Sequence, residues 1–218
     1  FYPPNIEDMD KVQIKRPLET FGDLRIINDC TSAVLGEYHY GDHSVENLMY
    51  VTISSGIGAG MVVDGKLAEG WNGNLGEVGH MEIADRGLEC GCGGKDHWEA
   101  YCSGNSLPRL AKLVSGKEFG DARELFRENG NGDRKAEETI QEMQELNGRA
   151  FANLVNLYNP EKIVLGGAVA LNHQGTVVEP LEDQVQDQAV NQVPVIEVCA
   201  LEEEAVIHGL RAVCNGKT

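Results

Sequence analysis

Apolar residues recur along this chain with two different periods, and the changes between them predict its elements. Asn47 to Ser54 is rich in β-formers, and Met61-Val62-Val63 followed by Asp64-Gly65 and Lys66-Leu67 predicts a hairpin, Asp-Gly being the favoured two-residue turn. Further on the period changes to three and four. From Arg134 to Tyr158, Ile140, Met143, Leu146, Ala150, Phe151, Leu154 and Leu157 form the stripe of one long packed helix, stopped by Asn159-Pro160. Asn105 to Val114 is a shorter amphipathic segment, Lys162 to Leu165 a short buried strand ending in Gly166-Gly167-Ala168, Pro194 to Val198 another strand, and Glu203 to Val213 a final helix. Near the start, residues 1–20 are polar and irregular, Asp23 to Ile27 predicts a short strand, and Thr31 to Glu37 has small and apolar residues at helical spacing. Strands alternating with helices predict an α/β class with a central sheet.

Length and charge narrow the picture. The 218 residues suffice for one substantial domain or two small lobes. With 18 basic against 35 acidic residues the net charge is −17, which disfavours nucleic acid or an anionic membrane as partner. Acidity of this size fits an ordinary acidic cytosolic protein or adaptation to a salty cytoplasm, and composition does not separate the two. No apolar run approaches the roughly 20 residues of a bilayer span. The opening Phe1-Tyr2-Pro3-Pro4-Asn5 has neither the basic patch nor the apolar stretch of a signal peptide. Half of the 26 glycines fall in residues 56–104, as in loops that approach a ligand closely.

Six cysteines are too few for a disulfide scaffold, yet Cys90, Cys92 and Cys102 cluster with His80 and His97. Zinc takes thiolate and imidazole at four tetrahedral corners, and the glycines around Cys90-Gly91-Cys92-Gly93-Gly94 permit both sulfurs to reach one ion. The expectation is a structural Cys2His2 site of His80, Cys90, Cys92 and His97 in a reducing compartment, with Cys102 as a substitute ligand left open. Ser55-Gly56-Ile57-Gly58 after one strand, and Gly166-Gly167 after another, have the form of backbone anion cradles or of plain glycine turns. Asp29, expected at a strand end, reads as a general base or as a helix N-cap. Glu77 and Glu99 flank the metal ligands, where carboxylates can hold polyol hydroxyls.

Asn28-Asp29, Ser55 to Gly60, Gly76-Glu77-Val78-Gly79-His80, Cys90-Gly91-Cys92-Gly93, Glu99-Ala100-Tyr101-x-Ser103-Gly104 and Val164 to Gly167, in this order, resemble the ROK family of sugar kinases and sugar-responsive repressors. The resemblance implies an actin-like (ribonuclease H-like, hexokinase-type) fold in which sugar and ATP share a cleft. It implies 1–29 as a remnant of the small lobe, 30–202 as the large lobe with a zinc loop at 76–104, and 203–218 as a helix returning toward the small lobe. It further implies ATP-dependent phosphorylation of a hexose, glucose first, at the primary hydroxyl, with Asp29 as base and Asn28, Glu77, His80 and Glu99 on the sugar. Ser55, Gly56 and Gly58 would face the phosphates and Gly166 and Gly167 the adenosine, with Mg²⁺ and structural Zn²⁺ as metals, in a cytoplasmic homodimer. Two departures stand out: His97 replaces the third cysteine of the family's pattern, and the family's opening Asp-x-Gly-x-Thr loop is missing, so the expectation is that this polypeptide alone does not phosphorylate sugar. An N-acetylmannosamine or N-acetylglucosamine kinase, or the sugar-binding core of a repressor, are the alternative expectations.

Overall fold

A computed structural model describes residues 15–22 and 24–217 of the chain. One five-stranded sheet organises it, in the order β3-β2-β1-β4-β5. Strands β1 (Leu48–Ile53), β2 (Ile57–Val63) and β3 (Lys66–Ala68) form an antiparallel meander, while β4 (Lys162–Gly166) and β5 (Val195–Val198) add in parallel beyond β1. The expected Asp-Gly hairpin joins β2 to β3, with Asp64 and Gly65 both at positive φ (50° and 71°), as a primed turn requires.

Both faces of the sheet are covered, which is why β1 and β4 read as near-continuous apolar runs. Leu48, Tyr50, Val62 and Val164 face one layer, made of α2 (Asp29–Tyr40) and α10 (Ala205–Cys214). Met49, Val51, Ile53, Ile163 and Leu165 face the other. That second layer holds α3 (Trp98–Cys102), α4 (Leu107–Ser115), α5 (Ala122–Gly130), α6 (Arg134–Tyr158) and α9 (Leu181–Gln186). The 25-residue α6 spans the expected range, its Asp133 cap accepting from Lys135 N and Ala136 N and its Asn159 closing in the left-handed region.

α2 and α10 cross at nearly bare backbone. A Cβ on Gly209 would stand 1.7 Å from Ser32 O, and one on Gly36 2.1 Å from Ala205 O, so only glycine permits this approach. A buried carboxylate ties α2 to the segment between β5 and α10. Glu37, with no exposed surface, accepts from Ala200 N (3.0 Å) and Leu201 N (2.7 Å) and meets His43 Nε2 at 2.8 Å. Three hydrogen-bonding partners on its two oxygens are what make a buried carboxylate tolerable there.

Some expectations fail. Leu24 to Ile27 form no strand, and Asp23 lies outside the described residues. An extended segment becomes a strand only with a partner to bond, and here Ile26 is largely solvent-exposed instead. Within the supposedly irregular start, α1 (Lys15–Leu18) and a 3₁₀ turn (Glu19–Phe21) occur, residues 1–14 lying outside the described set. The final helix opens as a 3₁₀ turn, Glu202–Glu204, and two unforeseen short helices, α7 (Ala168–Asn172) and α8 (Gln174–Val177), follow β4. Among the described residues no helix is long and apolar enough to cross a membrane.

Candidate active site and metal centre

The N-terminus of α2 and the β1–β2 turn meet at one cavity of about 390 Å³. Asn28 supplies the helix cap: with φ −63° and ψ 147° it is extended, and its Oδ1 accepts from Cys30 N (2.9 Å) and Thr31 N (3.2 Å). Asp29 is therefore the first helical residue and not the N-cap; its carboxylate accepts from Cys30 N at 2.9 Å and lines the cavity. Cys30 lines the same cavity from behind, and burial, aided by the charge of Asp29, pushes its thiol far above the ordinary range.

Ser55, Gly56 and Gly58 of the β1–β2 turn line the cavity, together with Thr52 at the end of β1. Gly166 and Gly167 do not. They stand at the neighbouring end of β4, where the space a side chain would need is taken by the Tyr50 hydroxyl and by Thr52 and Ile53. Glu77, His80 and Glu99 line the same cavity as Asp29. Gly76 positions the first two. It adopts φ +103° against β2, and its carbonyl accepts from Ala59 N at 2.8 Å. Glu99, in the first turn of α3, is buried and accepts from Ile57 N at 2.9 Å, with the Cys90 thiol 3.8 Å from its other oxygen.

His80 is also part of a cluster with Cys90, Cys92 and His97, whose donor atoms all lie within 4.8 Å of one another. His80 Nδ1 is 3.6 Å from Cys90 Sγ, and His97 Nδ1 is 3.2 Å from Cys92 Sγ. A tetrahedral zinc with bonds of about 2.0–2.3 Å sets its ligand atoms about 3.3–3.8 Å apart, so the four donors match that ion by number and chemistry, and the two thiol–imidazole distances lie close to its spacing. Without a metal, burial raises the Cys90 thiol to about 11 against the lowering effect of the Cys92 backbone N–H, with the Cys92 thiol and Glu99 adding to the rise; a dication reverses that preference. On its second ring nitrogen His80 has the Glu77 carboxylate at 3.7 Å, so the two walls of the cavity are joined through one imidazole. Cys102 is no substitute ligand: it is wholly buried and its thiol faces Met143 O at 3.8 Å.

The outer end of this loop is clamped by protein alone. Asp96, at positive φ, receives the Tyr101 hydroxyl and Gly87 N. Trp98 anchors α3 on α6 through Asn147 (2.8 Å) and an edge-on contact with Phe151. Sequence reasoning missed Cys30, Thr52 and the Asp96–Tyr101 clamp. Of these, only Asp96, next to His97 in a glycine-rich loop, carried any local signal.

The ROK family model matches residues 1–214. A glucokinase of Pyrobaculum calidifontis is 36% identical over 171 residues, covering 78% of this chain and 55% of that protein. An N-acetylmannosamine kinase of Citrobacter koseri is 32% identical over 168 residues, covering 77% and 57%. This chain thus spans about half the length of the curated relatives it matches. A crystal structure of a ROK family glucokinase from Streptomyces griseus, in complex with glucose and AMPPNP, superposes with a TM-score of 0.81 at 26% identity, covering 97% of this chain and 75% of that one. The three-layer architecture is that of the actin-like, hexokinase-type sugar kinases. A match running through the Asp29 helix, the metal loop and the Gly166-Gly167 junction without a break makes this chain a member of the ROK family.

Proposed function

We propose that the protein carrying this chain transfers the γ-phosphoryl group of ATP, delivered as its magnesium complex, to the primary hydroxyl of a hexose, glucose first. The observation that carries this reading is the one cavity that Asn28, Asp29, Glu77, His80 and Glu99 line together with the Ser55–Gly58 turn. Acids and an imidazole around one ring-sized space suit a polyol, since each sugar hydroxyl both donates and accepts. Phosphoryl transfer needs positioning and charge neutralisation more than covalent chemistry. Asp29 takes the hydroxyl proton as the oxygen bonds to the γ-phosphorus and the bond to the β,γ-bridging oxygen breaks, releasing ADP.

Asn28, its Oδ1 committed to the helix cap, offers its amide NH₂ to a sugar oxygen. Glu77, His80 and Glu99 hold the other hydroxyls, Ser55, Gly56 and Gly58 face the phosphates, and Gly166-Gly167 lead toward the adenosine. His80, Cys90, Cys92 and His97 hold zinc, which when bound supplies a structural cross-link. The unbridged thiols suit a reducing cytoplasm, and the family resemblance implies a homodimer.

Glucose ranks first because glucokinases lead the relatives; an N-acetylhexosamine is the second reading, supported by the N-acetylmannosamine kinase relative. Calorimetric titration of the chain with glucose, N-acetylmannosamine and N-acetylglucosamine ranks these. For catalysis, Asp29→Asn is placed in a protein that joins this chain to a phosphate-binding first lobe. Its ATP-dependent sugar 6-phosphate formation falls by about 10²–10⁴-fold while glucose affinity stays within about threefold. A variant retaining a tenth or more of the rate would refute Asp29 as base.

A further inference from the structure

Trp71 stands outside both the core and the proposed site, 98% exposed although Trp is among the more deeply buried residue types. The chain's other tryptophan, Trp98, is wholly buried and bonded to Asn147. Trp71 belongs to the tip Gly70-Trp71-Asn72-Gly73-Asn74, every residue of which is exposed. In a chain of net charge −17, residues 70–76 carry no charge, so the tip offers an indole beside the amides of Asn72 and Asn74. Each amide both donates and accepts, as sugar hydroxyls do.

The base of this loop is fixed at the mouth of the cavity. Glu69 O accepts from Leu75 N at 3.3 Å, and a Cβ on Gly70 would stand 3.2 Å from Leu75 Cβ. Leu75 and Gly76 line the cavity, so Trp71 starts one residue from a contact with its rim. Glu69 Oε1 also meets Arg25 Nη2 at 3.6 Å, and Arg25 belongs to the segment that runs into Asn28-Asp29. The loop is therefore rooted against both stretches of chain, the one that delivers Asp29 and the one that delivers Glu77. An exposed side chain changes rotamer within nanoseconds, so the indole is free to turn toward the mouth. The ring substituents of glucopyranose stand equatorially, and its faces carry C–H groups, slightly positive, that suit the negative face of an aromatic ring. Among the described residues that line the cavity there is no Phe, Tyr or Trp to meet such a face.

We infer that Trp71 is a substrate-contacting residue of the sugar site, its indole laid against the face of the bound hexose. This rests on the sugar site proposed above. The test is tryptophan fluorescence of the 218-residue chain, in which Trp98 is shielded and Trp71 meets the quencher. Saturating glucose covers one of the two indole faces, which about halves acrylamide quenching and shifts the emission to shorter wavelength. By calorimetry Trp71→Ala binds glucose about tenfold more weakly and Trp71→Tyr stays within about threefold of the parent, all three melting at the same Tm because the side chain has no packing to lose. Should glucose bind while quenching is unchanged, or while Trp71→Ala keeps the parent affinity, Trp71 is no part of the site and the hexose site stands without it. A fall of Tm in Trp71→Ala alongside the loss of affinity overturns the contact too. So does quencher protection that grows with protein concentration in the absence of sugar, which assigns the indole to a contact between copies of the chain. If no glucose binds at all, the hexose site and its Trp71 contact fall together.

Discussion

Gly76 couples the fold to the proposed sugar site through its backbone, and Gly76→Ala measures that coupling. The residue sits at φ +103°, where L side chains rarely go, and the added Cβ would stand 2.0 Å from Ala59 O. Such contacts do not fall below 3.0 Å, so the segment must move off β2 by about 1 Å, which also bends the Ala59 N to Gly76 O bond of 2.8 Å. Strain contributes about 1–3 kcal/mol and the weakened hydrogen bond about 1 kcal/mol. In a domain of this size about 2–4 kcal/mol lowers Tm by about 5–15 °C. The displaced segment carries Glu77 and His80. Losing one charge-assisted sugar contact costs about 1.5–3 kcal/mol, a rise in glucose Kd of about 10–150-fold by calorimetry. Gly73→Ala is the control: it shares the positive φ (+81°) but has nothing within 4 Å of the new carbon, so it carries the strain alone and keeps glucose affinity within threefold. Should Gly76→Ala bind glucose as the parent does at an unchanged Tm, or should Gly73→Ala lose as much affinity, backbone contact at Ala59 is not what places Glu77.

Metal content separates the thiols: Cys92→Ser loses its bound zinc to a mild chelator under conditions in which the parent and Cys102→Ser each keep one ion per chain, and a metal-free Cys102→Ser would reject the ligand set. Acid unfolding tests the loop before β1, where Glu161 accepts from Glu46 N and Asn47 N, each at 2.8 Å, the backbone bond from Asn47 being the main cause of its lowered pKa. As its folded pKa lies below the unfolded one, its contribution is present above about pH 4.5 and is lost as pH falls through the folded value, so Glu161→Gln flattens the fall of Tm below about pH 4.5; an unchanged acid slope refutes this.

How much of this was legible in the sequence depends on how local each signal is. The α6 stripe and its Asn159-Pro160 stop locate that helix to the residue, and the Asp64-Gly65 turn fixes the hairpin because two consecutive positive φ values admit few residue pairs. The clustering of His80, Cys90, Cys92 and His97 was readable because Cys-x-Cys with nearby histidines carries its own chemistry. α5 escaped the periodicity test, since only Leu125 and Phe126 of its nine residues are buried. Its ends were nonetheless marked: Asp121 caps Glu124 N at 2.8 Å, and Glu124 reaches back to Gly120 N. The choice between Asn28 and Asp29 as cap was not readable, since both residue types cap well and backbone geometry alone decides it.

The metal's place in the fold follows from what surrounds it. Between β3 and α3 lie some thirty residues whose extended pairing, among the described residues, amounts to the bridges Glu82–His97 and Glu89–Lys95. A segment of that length is uncommon in a compact domain unless function holds it. Its outer half is secured without metal, by Arg149 on Ile83 O, by Asp96 under Tyr101, and by Trp98 N on Met81 O. Its inner half, the Glu77–His80 edge, meets β2 through the Gly76 carbonyl on Ala59 N and through Gly79 against Ile57, buries Val78 in the core, and reaches the Cys90–His97 stretch through His80. Of the four donors, His80 alone comes from outside the Cys90–His97 stretch, so an ion there closes the loop by tying that stretch to the sugar edge. The core packs on α6 and the sheet without its help. In the proposed reading a bound ion would therefore act locally, tying His80, which stands beside Glu77, to the loop that places Cys90 next to Glu99.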